Sequence, residues 1–279
     1  MFLFCSCNGQ IMQPPDHQQR LAALRDTIAD IERKPALAET PDRSRIEKGM
    51  FPVLPAGLVQ EVYADGGRDT GASLAFALTQ AKNLLGGRRS AIFYVQLADE
   101  AQFFGLPYGP GLNWFGLDPS RLVVVRASNM SEFLWATEEV IACRAVAAII
   151  AEVKGSSKLL NFTASRRLSM RASASRVSLF MLRYGVRRES SAGHLRWHIK
   201  PQRSARHAFD DRAPGNARWH LKLERGRIAG NQVDWMLEAR KNGFAIFSSQ
   251  PVAPDRYQAE PAVHGAPPAI LAHRLSQAS

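Results

Sequence analysis

Four apolar runs constrain this chain more than anything else in it. SAIFYVQL (90–97), RLVVVRA (121–127), AVAAIIAEV (145–153) and RVSLFMLR (176–183) show little alternation of apolar with polar residues. A strand that is apolar on both faces needs cover on both faces, which a parallel sheet between helices supplies. Segments with helical spacing separate the runs: ASLAFALTQAKNLL (72–85), SEFLWATEEVIACR (131–144) and NFTASRRLSMRASA (161–174). The expected fold class is therefore α/β, a mostly parallel sheet flanked by helices. After residue 184 the pattern changes. HLRWHIKP (194–201) and ARWHLKLERGRI (217–228) alternate as half-exposed antiparallel strands do. NQVDWMLEA (231–239) is expected to pair with the second of them across a turn near Gly230, which adds antiparallel strands on the C-terminal side.

With 279 residues, 46% of them hydrophobic, the chain can bury one large core, expected over residues 50–245. Residues 1–15 read as disordered or as a misplaced start, which leaves Met1 and Met12 both open as the first residue. Residues 16–34 read as an amphipathic helix on Leu21, Leu24, Ile28 and Ile31, packed on its own core or docked on another subunit. A polar linker covers 35–49, and the Pro-, Ala-, Gln- and Ser-rich tail 246–279 is expected to be disordered. No apolar run spans a bilayer, and the N-terminus lacks a basic signal region. Three cysteines, Cys5, Cys7 and Cys143, are too few for a disulfide framework and fit a reducing cytoplasm; Cys143, on an apolar helix, is expected in the core.

The strand GLVQEVYA (57–64), the loop DGGRDTG (65–71) and the following helix stand in the order that a phosphate-binding loop requires. Gly66 and Gly71 have the G-x-x-x-x-G spacing, and Ser73 stands where a hydroxyl would reach magnesium. Glycines let backbone N–H groups face an anion at a helix N-terminus. The position of the lysine that reaches the β- and γ-phosphates is Ala72. Gly66, Gly71 and Ser73 thus mark a degenerate phosphate loop, read as turn glycines in preference to a working site. Arg68 is the residue within the loop that could replace the lysine. No cofactor is expected; ATP remains the candidate if one binds. Glu152 closes the run AVAAIIAE, the context of a magnesium-holding carboxylate, and reads as a relic or a solvent-facing acid.

Net charge is +11, and from Lys154 to Arg227 there are 18 Lys and Arg against 4 Asp and Glu. Such a stretch points to a polyanionic partner, DNA or an acidic protein face. The candidate contacts are Arg166, Arg167 and Arg171 on the basic helix, and Arg183, Arg187 and Arg188 after the fifth strand. Trp197 and Trp219, among basic residues, either stack on bases or pack in the core. His194 and His198 lie on one strand and give no metal site, and no G-x-S-x-G nucleophile elbow is present.

In order of parts, the chain over residues 16–240 resembles the RecA recombinase family. It resembles more closely the ImuA-type proteins, RecA-like members of bacterial damage-inducible mutagenesis cassettes. The segments that carry the likeness are LPAG (54–57), PYGPGL (107–112), GLDPSRLVVVRA (116–127), LWATEEVIAC (134–143), TASRRLSMRASAS (163–175) and RWHLKLERGR (218–227). The resemblance implies a RecA-like core and a non-catalytic accessory role in SOS-induced, error-prone translesion synthesis. Its implied partners are a Y-family-like polymerase protein, a DnaE-type polymerase, RecA and DNA, with no membrane. In active recombinases a catalytic glutamate follows the second strand; here Gln96, Leu97 and Ala98 stand there, with Asp99 and Glu100 just beyond. Two alternatives stay open: a divergent P-loop ATPase acting as a recombination mediator, and an SOS cell-division inhibitor.

Overall fold

A computed structural model describes residues 49–247, apart from 186, 208, 211, 229–231 and 242. The readings made for 1–15, 16–34 and 35–48, and for the tail from 248, lie outside the described residues.

The elements run β1 (Val59–Ala64), α1 (Thr70–Lys82), β2 (Ala91–Leu97), the short α2 (Ala101–Phe104) and α3 (Gly109–Trp114), then β3 (Leu122–Ala127), α4 (Met130–Ala142) and β4 (Val146–Val153). They continue with α5 (Phe162–Ser175), β5 (Ser178–Tyr184), β6 (Leu195–Gln202), β7 (Arg218–Arg225), β8 (Asp234–Arg240) and β9 (Gly243–Ile246). All nine strands form one sheet in the order β3-β2-β4-β5-β1-β6-β7-β8-β9. The expected mixed α/β architecture is present. From β3 across to β6 the strands are parallel, and β6 to β9 are antiparallel.

Three expectations need correction. HLRWHIKP is the hinge of the sheet, not a purely antiparallel strand: β6 lies parallel to β1 and antiparallel to β7. It keeps the alternation read from sequence: Leu195, Trp197 and Ile199 are buried in the layer under α1, while on the opposite face Arg196 is buried against Glu61 and Lys200 is exposed. β9 was not foreseen, since Gly243–Ile246 is short; its pairing with β8 and the bridge from Met50 to Ala245 define it. The helix read from 131 starts at Met130 and is capped by Asn129: its side chain accepts from the Glu132 N–H at 3.0 Å, while Glu132 accepts from the Ser128 N–H at 2.9 Å. Glu132 is thus at N3, and the reciprocal bonding of a capping box is approximated one residue upstream.

Two apolar layers sandwich the sheet. On one face α1 packs Phe76, Ala77 and Ala81 against Val62, Ile150, Phe180 and Trp197. Phe51, Phe76, Trp197 and Trp235 meet edge-on with ring centroids 5.5–5.9 Å apart, a geometry favoured by the ring quadrupoles. On the other face α4 and α5 bury Phe133, Ile141, Leu168 and Ala172 against Val95, Ile149 and Leu179. Gly57 shows why the Pro-Ala-Gly turn before β1 ends in glycine. Its φ is +91°, and a Cβ there would lie 3.3 Å from the carbonyl oxygen of Ala172, so a side chain would both strain the backbone and press on α5. Among the described residues, no helix is long and apolar enough to cross a membrane.

Candidate functional site

Parallel sheets gather their ligand-facing loops at the carboxyl ends of the strands. Here those ends belong to β1, β2, β4 and β5, and each supplies a sequence-selected residue.

The loop after β1 is tighter than a phosphate cradle. The Asp69 N–H is bonded to the Gly66 carbonyl at 3.1 Å, closing a 3-10 turn over Gly67–Asp69, and α1 begins at Thr70, two residues before the expected start. Gly71 therefore lies inside the first helical turn and is exposed, while Ala72 and Ser73 are buried. The Ser73 hydroxyl has no partner among the described residues and faces the interior, so it is not presented to a ligand at the loop. Over the loop sits Phe103 of α2. A Cβ on Gly67 would fall 2.4 Å from its ring, and Lys154 Nζ lies 3.8 Å from the ring centroid. A side chain at 67 would have to displace the tip of this exposed ring. Arg68 is exposed beside it. Asp65, at the loop's start, carries negative charge of its own. Burial alone would raise its pKa, but hydrogen bonds from Lys200 and His198 hold the carboxyl below the usual range, with contacts at 3.1 and 2.7 Å.

Glu152 is neither exposed nor open. It is buried at the end of β4, and its two oxygens accept hydrogen bonds from the hydroxyls of Tyr94 and Tyr184. The expectation of a solvent-facing acid fails because β2 and β5 flank β4 and bring a tyrosine to it from either side. Burial, opposed by the two tyrosine hydrogen bonds and joined by the nearby charge of Glu100, raises its pKa. Gln96, in register with Glu152 across β2 and β4, donates to the Gly105 carbonyl at 3.2 Å, and its Oε1 is unpartnered among the described residues. Glu100 accepts from the Lys154 N–H at 2.9 Å, and burial raises its pKa as well.

The basic stretch divides into internal and external arginines. Glu61, buried in β1, takes a hydrogen bond from the Ser191 hydroxyl at 2.7 Å and ion pairs from Arg196 at 2.8 Å and Arg225 at 3.5 Å. Arg183 is buried and turned to Glu189 at 2.6 Å. Arg188 lies over the Tyr63 ring at 4.3 Å and pairs with Glu224 at 2.8 Å. Of the six arginines selected from sequence, Arg183 and Arg188 therefore have their guanidinium groups engaged inside the fold. Arg187 is exposed. On α5, Arg166, Arg167 and Arg171 are all exposed, with Arg167 and Arg171 held by Glu138 of α4 at 2.5 and 3.5 Å.

Trp197 and Trp219 are buried and cannot stack on bases; Trp197 donates to the Gln60 side chain at 2.9 Å inside the sheet. Cys143, expected in the core, is exposed, because it follows the last turn of α4. His194 accepts from the Val59 N–H at 2.9 Å, and burial lowers its pKa. Among the described residues there is no group of side chains that could hold a metal. Residues that sequence reasoning missed include Glu61, Tyr94, Tyr184 and Phe103, each defined by a partner distant in sequence. It also missed exposed Trp135 and Met170; the spacing of Phe162, Arg166 and Met170 along α5 was the signal available for the latter.

No family model matches the chain. Two curated relatives do, each called Protein ImuA and each from Caulobacter vibrioides, one from strain NA1000 / CB15N and the other from strain ATCC 19089 / CIP 103742 / CB 15. Each is 34% identical over 208 residues, which covers 70% of this chain and 81% of the relative. Identity of that extent across most of the α/β core shows that the chain belongs to the ImuA family.

Proposed function

We propose that this protein acts in damage-inducible mutagenesis as a non-catalytic, RecA-like accessory factor, recruiting or regulating an error-prone polymerase complex during translesion synthesis. Its membership of the ImuA family supports the setting. The observation that carries the non-catalytic reading is the loop after β1: Ala72 replaces the lysine, Ser73 is buried, and Phe103 covers Gly67. A lysine contributes to phosphoryl transfer by offsetting charge on the β- and γ-phosphates, and an alanine methyl group offers nothing there. Its partners in this reading are a Y-family-like polymerase protein, a DnaE-type polymerase and RecA in the cytoplasm, with DNA touched through exposed arginines.

Titration of the purified protein with Mg-ATP, by calorimetry, is expected to show no tight binding. An ATPase assay with single-stranded DNA is expected to show no stimulated turnover. DNA-stimulated hydrolysis abolished by Ser73→Ala would overturn the non-catalytic reading and favour a divergent ATPase. In cells, deletion of the gene is expected to lower damage-induced mutation frequency; an unchanged frequency overturns the assignment to mutagenesis.

A further inference from the structure

The outer surface of α4 and α5 carries large apolar side chains that nothing among the described residues covers. Trp135 on α4 is 66% exposed and Met170 on α5 is 65% exposed. Leu159, just before α5, shares with Trp135 a shallow groove between the two helices. Exposed tryptophan and methionine are the side chains that rigid protein interfaces favour, and the two lie here on one helix pair.

The charge on this surface is one-sided. Between Glu152 and Glu189 the chain has no Asp or Glu, so every charged side chain on α5 is an arginine. Arg166 stands one turn from Phe162 and one turn from Met170, and is exposed with no hydrogen bond or ion pair among the described residues. Arg167 lines the groove, and Arg171, one turn further along α5, pairs with the same Glu138. Glu138 and the exposed Glu139 lie on the α4 side. A nucleic-acid backbone would meet these carboxylates and gain nothing from Trp135 and Met170 in the absence of unpaired bases. A protein segment with an apolar stripe and carboxylates on the flank toward α5 satisfies both the groove and the arginines.

We propose that the α4–α5 groove is a docking site for an acidic amphipathic segment of a partner protein. The apolar stripe of that segment packs on Trp135, Leu159 and Met170, and its carboxylates face Arg166, Arg167 and Arg171. This names a surface for the partner that the accessory reading requires, and rests on that reading only for the partner's cellular setting.

The test uses the full chain and a fluorescein-labelled synthetic helical peptide with leucines at i, i+3, i+4 and i+7 spacing and glutamates elsewhere, followed by fluorescence anisotropy. A second peptide replaces every glutamate with lysine. The glutamate peptide is expected to bind and the lysine peptide not. Trp135→Ala is expected to weaken binding about tenfold, as loss of an interface anchor does, and Arg166→Glu about fivefold, with a steeper loss at low salt. Both positions are exposed, and Arg166 has no intramolecular partner among the described residues, so neither change should impair folding; matching thermal unfolding curves verify this. Equal binding of the two peptides, or full affinity in both variants, overturns the proposal. So does displacement of the peptide by single-stranded DNA whose own binding is lost in both variants, since nucleic acid would then be the occupant. Loss of self-association in Trp135→Ala with peptide binding intact overturns it in favour of a second copy. Failure here with damage-induced mutagenesis still dependent on the gene sinks the surface and leaves the accessory reading standing.

Discussion

Replacing Glu61 by glutamine tests whether the basic stretch is partly internal scaffolding. Glu61 sits in the central strand β1 with its side chain 5% exposed, against Arg196 at 11% and Arg225 at 36%. Glutamine keeps the size and still offers an acceptor to Ser191, but removes the charge that holds two guanidinium groups together. Breaking a buried pair on one side leaves the other charge uncompensated, at a cost of about 3–5 kcal/mol. The retained acceptor places Glu61→Gln near the low end, about 3 kcal/mol. In a domain of this size each kcal/mol moves the melting temperature by about 2–4 °C, so a fall of about 6–12 °C is expected in thermal unfolding followed by circular dichroism. Arg196→Met alone should be similarly harmful. The double replacement should fall short of the sum, with a coupling of about 1–3 kcal/mol. A fall under about 2 °C, or additivity of the two changes, would show that these arginines are solvated and that the division into internal and external arginines is wrong.

Other consequences follow from the same geometry. Glu152→Gln should flatten the dependence of stability on pH. A carboxylate whose folded pKa lies above its ordinary value holds its proton better in the folded state, so its ionisation destabilises the fold as pH rises from the ordinary carboxylate range through the folded value. The melting temperature of the variant should therefore gain on the native protein between about pH 4.5 and neutrality; parallel curves would refute this. Trp197→Ala should destabilise by about 3–5 kcal/mol through an unfilled cavity and leave the DNA affinity of the folded fraction unchanged; weaker DNA binding at temperatures where it stays folded would contradict its core role. Ala72→Lys, at a buried helical position, should lower the melting temperature without creating Mg-ATP binding by calorimetry. Tight binding in that variant would show that the loop needs only its lysine. Asn129→Ala should cost α4 about 1 kcal/mol of capping, read in denaturant midpoint, whereas Ser131→Ala should change little.

Most of the parallel half of the sheet was legible because β1, β2, β4 and β5 are buried over nearly their whole length, and a run such as AVAAIIAEV reports this without reference to anything else in the chain; RLVVVRA reads the same way yet forms the edge strand β3, with Val123 and Val124 exposed. The absence of the phosphate-loop lysine is equally local: Ala72 can be read at its position before any fold is known. The short strand β9 was not legible, since four residues carry no periodicity and only pairing with β8 defines them. Cys143 illustrates the opposite failure, an apolar neighbourhood in sequence that ends in solvent because the helix stops one residue earlier. The arginines of the basic stretch divide only in three dimensions. Arg196 meets Glu61 across 135 residues of chain, whereas Arg166 meets no partner among the described residues, and by composition the two are alike. Backbone periodicity and the identity of a missing side chain are local properties, and the sequence alone determined them. Burial and charge pairing depend on neighbours that the chain supplies from afar, so only the tertiary structure decided which arginines, tyrosines and acids are committed to the fold and which remain for a partner.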